Sequence, residues 1–254
     1  MSTMKWSSDD LPMAFACAAG RPGRIVAINW HGLYNAFPLT IFFTVYDAAQ
    51  FDGLCFREAG IDCPVSIARA VTKRQAEYFY GRLCARAALA HNDAGLHQIP
   101  VGKMREPVWP ANYAGSITHS RALAAAVAVP AEHCSGIGID VEEAIDDAAL
   151  HALCTTVVTE TELAYLNSIA AEIDIRMLLT LIFSAKESFF KAVFSEIQRY
   201  IDFQALELRS IDIGTRRIMF AVTETLGGRF QMGDICEVGF ELIGTEYVFT
   251  VCAW

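Results

Sequence analysis

Three carboxylates and a lysine stand out by their spacing. The segment Gly136-Ile-Gly-Ile-Asp-Val-Glu142 alternates apolar and acidic residues. As a strand it puts Asp140 and Glu142 on one face, about 6–7 Å apart along the chain, with Ile139 and Val141 on the other. Carboxylates so close repel unless a cation lies between them, and oxygen ligands at this spacing suit Mg²⁺. A solvated polar strand face has the same pattern. About 45 residues later comes Phe183-Ser-Ala-Lys-Glu-Ser-Phe-Phe-Lys191. On a helix, Phe183, Phe190, Val193 and Phe194 form an apolar arc, and Glu187 and Lys191 share a face at its edge. That pair is either a surface ion pair or a third carboxylate beside a cation. Lys186 falls inside the apolar arc, which requires snorkelling or a buried partner.

Two further groups suit anions. Between Lys73 and Arg105 lie six basic residues (Lys73, Arg74, Arg82, Arg86, Lys103, Arg105) and two acidic ones. On a helix Arg82 and Arg86 share a face, and Arg74 stands two turns before Arg82. Guanidinium groups bind phosphate bidentately, so this is either a phosphate cradle or a solvated helix face. The stretch Gly115-Ser-Ile-Thr-His-Ser120 offers hydroxyls and an imidazole in a turn ahead of a strand. No G-x-S-x-G elbow occurs in the chain, which removes the matching class of serine hydrolase. An anchor for an anionic substrate, or a structural turn, remains.

The elements that carry these groups can be read in order. Thr72 is a helix N-cap for Lys73–His91, which Asn92-Asp93 and Gly95 end. Residues 98–115, with three prolines, read as loop. Strands follow at Ala122–Val129 and Ser135–Glu142, and helices at Glu160–Asn167 and Met177–Ile197. Four β-rich runs (203–213, 216–222, 236–243, 246–253) suggest an antiparallel meander. Strand, helix and strands, then strand, helices and strands, make two α+β halves of similar plan: 1–133, basic, and 134–254, acidic.

Composition agrees. The 254 residues are 54% hydrophobic and 19% charged, so the chain folds around a core without disulfide or metal staples. The net charge of −9 argues against a nucleic-acid binder. It is unevenly spread: residues 1–130 hold 12 Lys/Arg and 9 Asp/Glu, and the rest hold 8 and 20. The eight cysteines include no C-x-x-C pair, and the six histidines do not cluster with them, so buried reduced thiols are expected, Cys84 among them. Leu11–Ala19 is apolar and ends in small residues, but Asp9 and Asp10 precede it where a secretion signal needs positive charge. Ile25–Tyr46 carries no charge, yet Asn29, His31, Asn35 and Pro38 disfavour a membrane span, and Leu39–Tyr46 has strand composition. A cytoplasmic monomer is expected.

Taken together the motifs resemble the surfactin-type 4′-phosphopantetheinyl transferases, and within them the enterobactin synthetase component D group. The resemblance rests on Arg74-x-x-Glu77 with Gly81-Arg82, Arg105-Glu-Pro-Val-Trp-Pro110, Gly115-Ser-Ile-Thr-His-Ser120, Gly138-Ile-Asp-Val-Glu142 and the segment Phe183–Lys191. It spans residues 70 to 195; the third motif ends in Ser120 where a cysteine is common. The resemblance implies two α+β halves related by a pseudo-twofold, with coenzyme A in the cleft between them. It implies transfer of the phosphopantetheine arm of coenzyme A to a serine of acyl, peptidyl or aryl carrier proteins, for nonribosomal peptide (siderophore-like) or polyketide synthesis. It further implies Asp140, Glu142 and Glu187 as ligands of Mg²⁺ or Mn²⁺, and Arg74, Arg82, Arg105, Thr118 and His119 on the phosphates. Glu187 would act on the acceptor's proton and Lys191 on the pyrophosphate. A different Mg²⁺-dependent phosphoryl enzyme, or a non-catalytic carrier-protein-binding subunit, are the other readings.

Overall fold

The computed structural model describes residues 5–7, 23–30, 39–171 and 173–254. The segment Leu11–Ala19 and residues His31, Asn35 and Pro38 lie outside them. The chain divides into two compact units, Met1–Ser135 and Gly136–Trp254. Each holds a five-stranded sheet and one long helix packed against it, the α+β halves expected from the order of elements. Among the described residues no helix is long and apolar enough to cross a membrane.

In the first unit the strands are β1 (Lys5–Ser7), β2 (Val26–Trp30), β3 (Leu39–Val45), β4 (Tyr113–His119) and β5 (Leu123–Pro130), with helices α1 (Leu54–Ala59), α2 (Val65–Ala68) and α3 (Thr72–His91). The sheet order is β1-β2-β3-β5-β4, antiparallel except for the parallel pair β1–β2. The alanines of β5 are buried, and their small side chains let α3 come close through Cys84, Ala85, Ala88 and Leu89.

Two local expectations change. Val71, not Thr72, occupies the cap of α3, and no side chain caps the helix there. Tyr113–His119, expected as loop and turn, is strand: Gly115 pairs with Ala128 and His119 with Ala124. Gly115 is small because the Trp109 ring lies over it; a Cβ there would stand 2.5 Å from the indole. Neither glycine nor serine advertises a strand.

The second unit contains β6 (Ile137–Glu143), α4 (Asp147–Thr156), α5 (Glu160–Ile169), α6 (Ile175–Ile197), β7 (Leu206–Asp212), β8 (Arg217–Val222), β9 (Ile235–Ile243) and β10 (Tyr247–Ala253). The last four form the expected meander, and β10 also pairs with β6 to give the order β6-β10-β9-β8-β7. Helix α6 starts at Asp174, whose carboxylate accepts from Arg176 N–H, and stops at Gln198 with φ 50°. Its apolar side joins Leu178, Leu181, Ile182 and Phe189 to Ile218, Phe220 and Val248 of the sheet. Helix α4 was absent from the sequence reading. None of its residues is fully buried.

Candidate active site

Four even-numbered residues of the β6 segment face α6. Gly136 and Gly138 come first: a Cβ on Gly138 would stand 1.8 Å from the Ser188 carbonyl oxygen, and one on Gly136 2.2 Å from that of Ala192. Bare backbone lets the helix rest on the strand. Asp140 and Glu142 follow on the same face. Lys191 crosses from α6, its ammonium 2.5 Å from Asp140 Oδ1 and 3.2 Å from the Ile139 carbonyl. It thus reaches to β6 rather than along the helix to Glu187. Glu187, one turn earlier on α6, is close enough for its charge to act on Glu142.

Burial, then the charge of Asp140, pushes the Glu142 carboxyl up to about 8, and Lys191 pulls the other way. Burial raises Glu187 as well, with Asp140 adding and Lys191 opposing. Three carboxylates against one ammonium is an excess of buried negative charge, which a hard divalent cation with oxygen ligands would relieve. The donor set fits Mg²⁺ in kind. Among the described residues, however, no group of three or more His, Cys, Asp or Glu side chains is gathered tightly enough to hold a metal.

Lys186 has the partner its position required. It is fully buried; its ammonium donates to the Val157 carbonyl at 2.8 Å and to Glu162 Oε1 at 3.1 Å. Glu162 also accepts from Leu208 N–H at 2.7 Å and, in the capping box of α5, from Thr159 N–H at 2.7 Å. A buried ion pair with its oxygens so occupied is one that holds. Sequence reasoning passed over Glu162, although Thr159-x-x-Glu162 is a capping-box signature.

In the first unit, Arg74 and His119 meet: Arg74 Nη1 lies 3.0 Å from His119 Nε2 and 3.0 Å from Glu77 Oε2. An arginine has only donors, so Nε2 accepts in this contact. Thr118 is buried and, one residue from His119 on β4, points to the opposite face. Arg82 is also buried. Its Nε donates to the Ile99 carbonyl at 2.7 Å and its guanidinium lies 4.5 Å from the centre of the Tyr78 ring, with burial lowering its pKa. Arg86 ties the end of α1 through the Ala59 and Gly60 carbonyls. Arg105 is exposed, in a turn with φ 73°. Nearby, Tyr46, Asp47, Lys73 and Arg121 line an open pocket of about 400 Å³. Arg121 was missed because one arginine after a histidine and a serine makes no pattern.

A helix-backed strand with paired carboxylates, and a helical Glu and Lys set over it, form an acidic cluster of the class whose oxygen donors suit a hard divalent cation. Comparison with known proteins gives that class a family. Residues 64–129 match the 4'-phosphopantetheinyl transferase N-terminal domain, and residues 136–252 match the 4'-phosphopantetheinyl transferase superfamily. Enterobactin synthase component D of Escherichia coli (strain K12) is 34% identical over 190 residues, 72% of this chain and 86% of that protein. The 4'-phosphopantetheinyl transferase Svp of Streptomyces mobaraensis is 35% identical over 169 residues, covering 64% and 66%. A crystal structure of a holo-(acyl-carrier-protein) synthase from Bacillus anthracis str. Ames overlaps 47% of this chain and 95% of that one, at 21% identity and a TM-score of 0.37. The chain belongs to the 4′-phosphopantetheinyl transferase superfamily.

Proposed function

We propose that this transferase moves the 4′-phosphopantetheine arm of coenzyme A to a serine hydroxyl of a carrier protein, in a Mg²⁺-dependent reaction. The observation that carries the proposal is the set of Glu187 and Lys191 on α6 over Asp140 and Glu142 on β6. The serine oxygen forms a bond to the β-phosphorus of coenzyme A as the bond from that phosphorus to the bridging oxygen breaks. Adenosine 3′,5′-bisphosphate leaves. Asp140, Glu142 and Glu187 would hold the cation, which when bound supplies positive charge to the pyrophosphate oxygens. Glu187, raised by burial, accepts the proton of the attacking hydroxyl. Lys191 donates a charge-assisted hydrogen bond to the pyrophosphate, leaving its partner Asp140 to do so. Arg74 and His119 hold the 3′-phosphate, whose charge favours protonated His119. Arg105 adds to the phosphate contacts, Thr118 backs them from the buried face of β4, and Arg82 adds to them with the guanidinium nitrogens not engaged by Ile99 and Tyr78.

Siderophore-type peptide synthesis is the pathway class proposed, following the names of the relatives. A cytoplasmic location is proposed on the free thiols Cys55, Cys63, Cys84, Cys154 and Cys236, and a monomer with it. Intact-mass measurement of an apo carrier protein incubated with coenzyme A and Mg²⁺ tests the reading. A gain of one phosphopantetheine is expected, together with a loss of 10²-fold or more in kcat for Glu187→Gln, by about the scale of a general base. Phosphate release without any mass gain would instead make the site a phosphatase.

A further inference from the structure

Within the apolar interface between α6 and the sheet lies a small polar patch. Thr250, Ser184 and Ser188 are all fully buried there. Thr250 is the cross-strand partner of Asp140 in the β10–β6 ladder, so the two side chains stand side by side and both face α6. Thr250 Oγ1 donates its proton to the Ser184 carbonyl at 2.9 Å. A hydroxyl has one proton and two acceptor sites. The remaining contacts, 2.9 Å to Ser184 Oγ and 2.5 Å to Ser188 Oγ, are therefore bonds that Thr250 accepts from the two serines. Its hydrogen-bonding capacity is then full.

This arrangement has a geometric consequence. Apolar contacts let one surface slide on another at small cost, but three directional bonds to one oxygen do not. Ser188 is held twice, by Thr250 through its hydroxyl and by Gly138 through the close approach of its carbonyl. Glu187 lies one residue before it on α6 and Lys191 three after. A slip of α6 by one residue is about 1.5 Å along its axis, enough to break all three bonds.

We propose that Thr250, through Ser184 and Ser188, is a positioning residue that sets the axial register of α6 on β6 and so the placement of Glu187 and Lys191 relative to Asp140 and Glu142. The chemistry it serves rests on the transfer reaction proposed above; the lock itself does not.

Thr250→Val keeps the size and removes the hydroxyl, and Thr250→Ser keeps the hydroxyl and removes the methyl. Two quantities are measured: kcat and KM for coenzyme A with an apo carrier protein, and amide hydrogen exchange over residues 184–192 of the metal-free protein. Thr250→Val is expected to lose about tenfold or more in kcat, as misplacement of catalytic groups does, with KM little changed and exchange in that segment accelerated. Thr250→Ser should match the wild type in both. Wild-type kcat and exchange in Thr250→Val, or equal damage in both variants, would overturn the proposal. If Thr250→Val does not fold, Ser188→Ala, which removes one bond of the three, must show the same two effects in smaller measure, and their absence overturns it equally. If the wild type loads no carrier protein, the transfer reading fails, while the exchange data still decide the lock.

Discussion

Gly138→Ala puts the tightest approach of a glycine to helix backbone in the second unit to the test. The added Cβ would stand 1.8 Å from the Ser188 carbonyl oxygen and 2.6 Å from Ala192 N. Both are backbone atoms of α6, so no side chain can swing away. Carbon–oxygen contacts begin near about 3.3 Å, so α6 must withdraw by roughly 1.5 Å. Overpacking of this kind costs about 1–3 kcal/mol, and the upper end applies when the obstacle is backbone. For a unit of this size that lowers Tm by roughly 10 °C. The catalytic loss should be larger in proportion. Glu187 and Lys191 ride on α6, and a misplacement of about 1 Å costs on the order of 10²-fold. Calorimetry and the rate of carrier-protein mass gain measure the two effects. Gly214→Ala is the control: its Cβ would find only Asp212 Oδ1, at 3.4 Å, and should change stability by less than about 0.5 kcal/mol. If Gly138→Ala behaves like the control in both assays, the glycine does not serve close approach, and the register argument loses one of its two supports.

Other outcomes follow from the same geometry. Lys186→Ala strands the buried Glu162 carboxylate and should cost about 3–5 kcal/mol in urea unfolding. Lys186→Met combined with Glu162→Gln should recover most of that; equal losses would remove the pair as the cause. Glu142, held at about 8 in the fold against about 4.3 in the unfolded chain, keeps a proton that unfolding releases. Metal-free stability should therefore fall as pH rises from about 4.5 through about 8. Mg²⁺ needs the ionised carboxylate, so its gain in Tm should be larger near pH 8 than near pH 6, and equal gains would take Glu142 out of the metal site. His119→Ala should reduce kcat/KM for coenzyme A by about 10- to 100-fold, the worth of one hydrogen bond to a charged group, and leave dephospho-coenzyme A nearly unaffected. Equal losses on both substrates would assign His119 to the fold.

What could be read from the sequence was whatever a local period or a charged residue announces. The meander of β7–β10 showed because β-branched and aromatic residues recur there at strand spacing. Helix α6 showed because its apolar arc is strong, and Lys186 demanded a partner because a charge cannot lie in that arc alone. The partner itself, Glu162, is 24 residues away, and no local pattern joins the two. The strand β4 was hidden by glycine and serine, whose presence is explained only by the Trp109 ring above Gly115. Thr118 and His119 were grouped as neighbours in a turn, and the strand sends their side chains to opposite faces. Thr180, Ser184 and Ser188 were the hardest to see. At i, i+4 and i+8 of an amphipathic helix such residues look like a water-facing stripe. Here Thr180 accepts from Ile145 N–H while the two serines bond Thr250, so the stripe is the buried one. Hydroxyls belong to either side of a helix, and only the strand opposite decides which. A functional site built on them is legible in its charges and silent in the contacts that aim them.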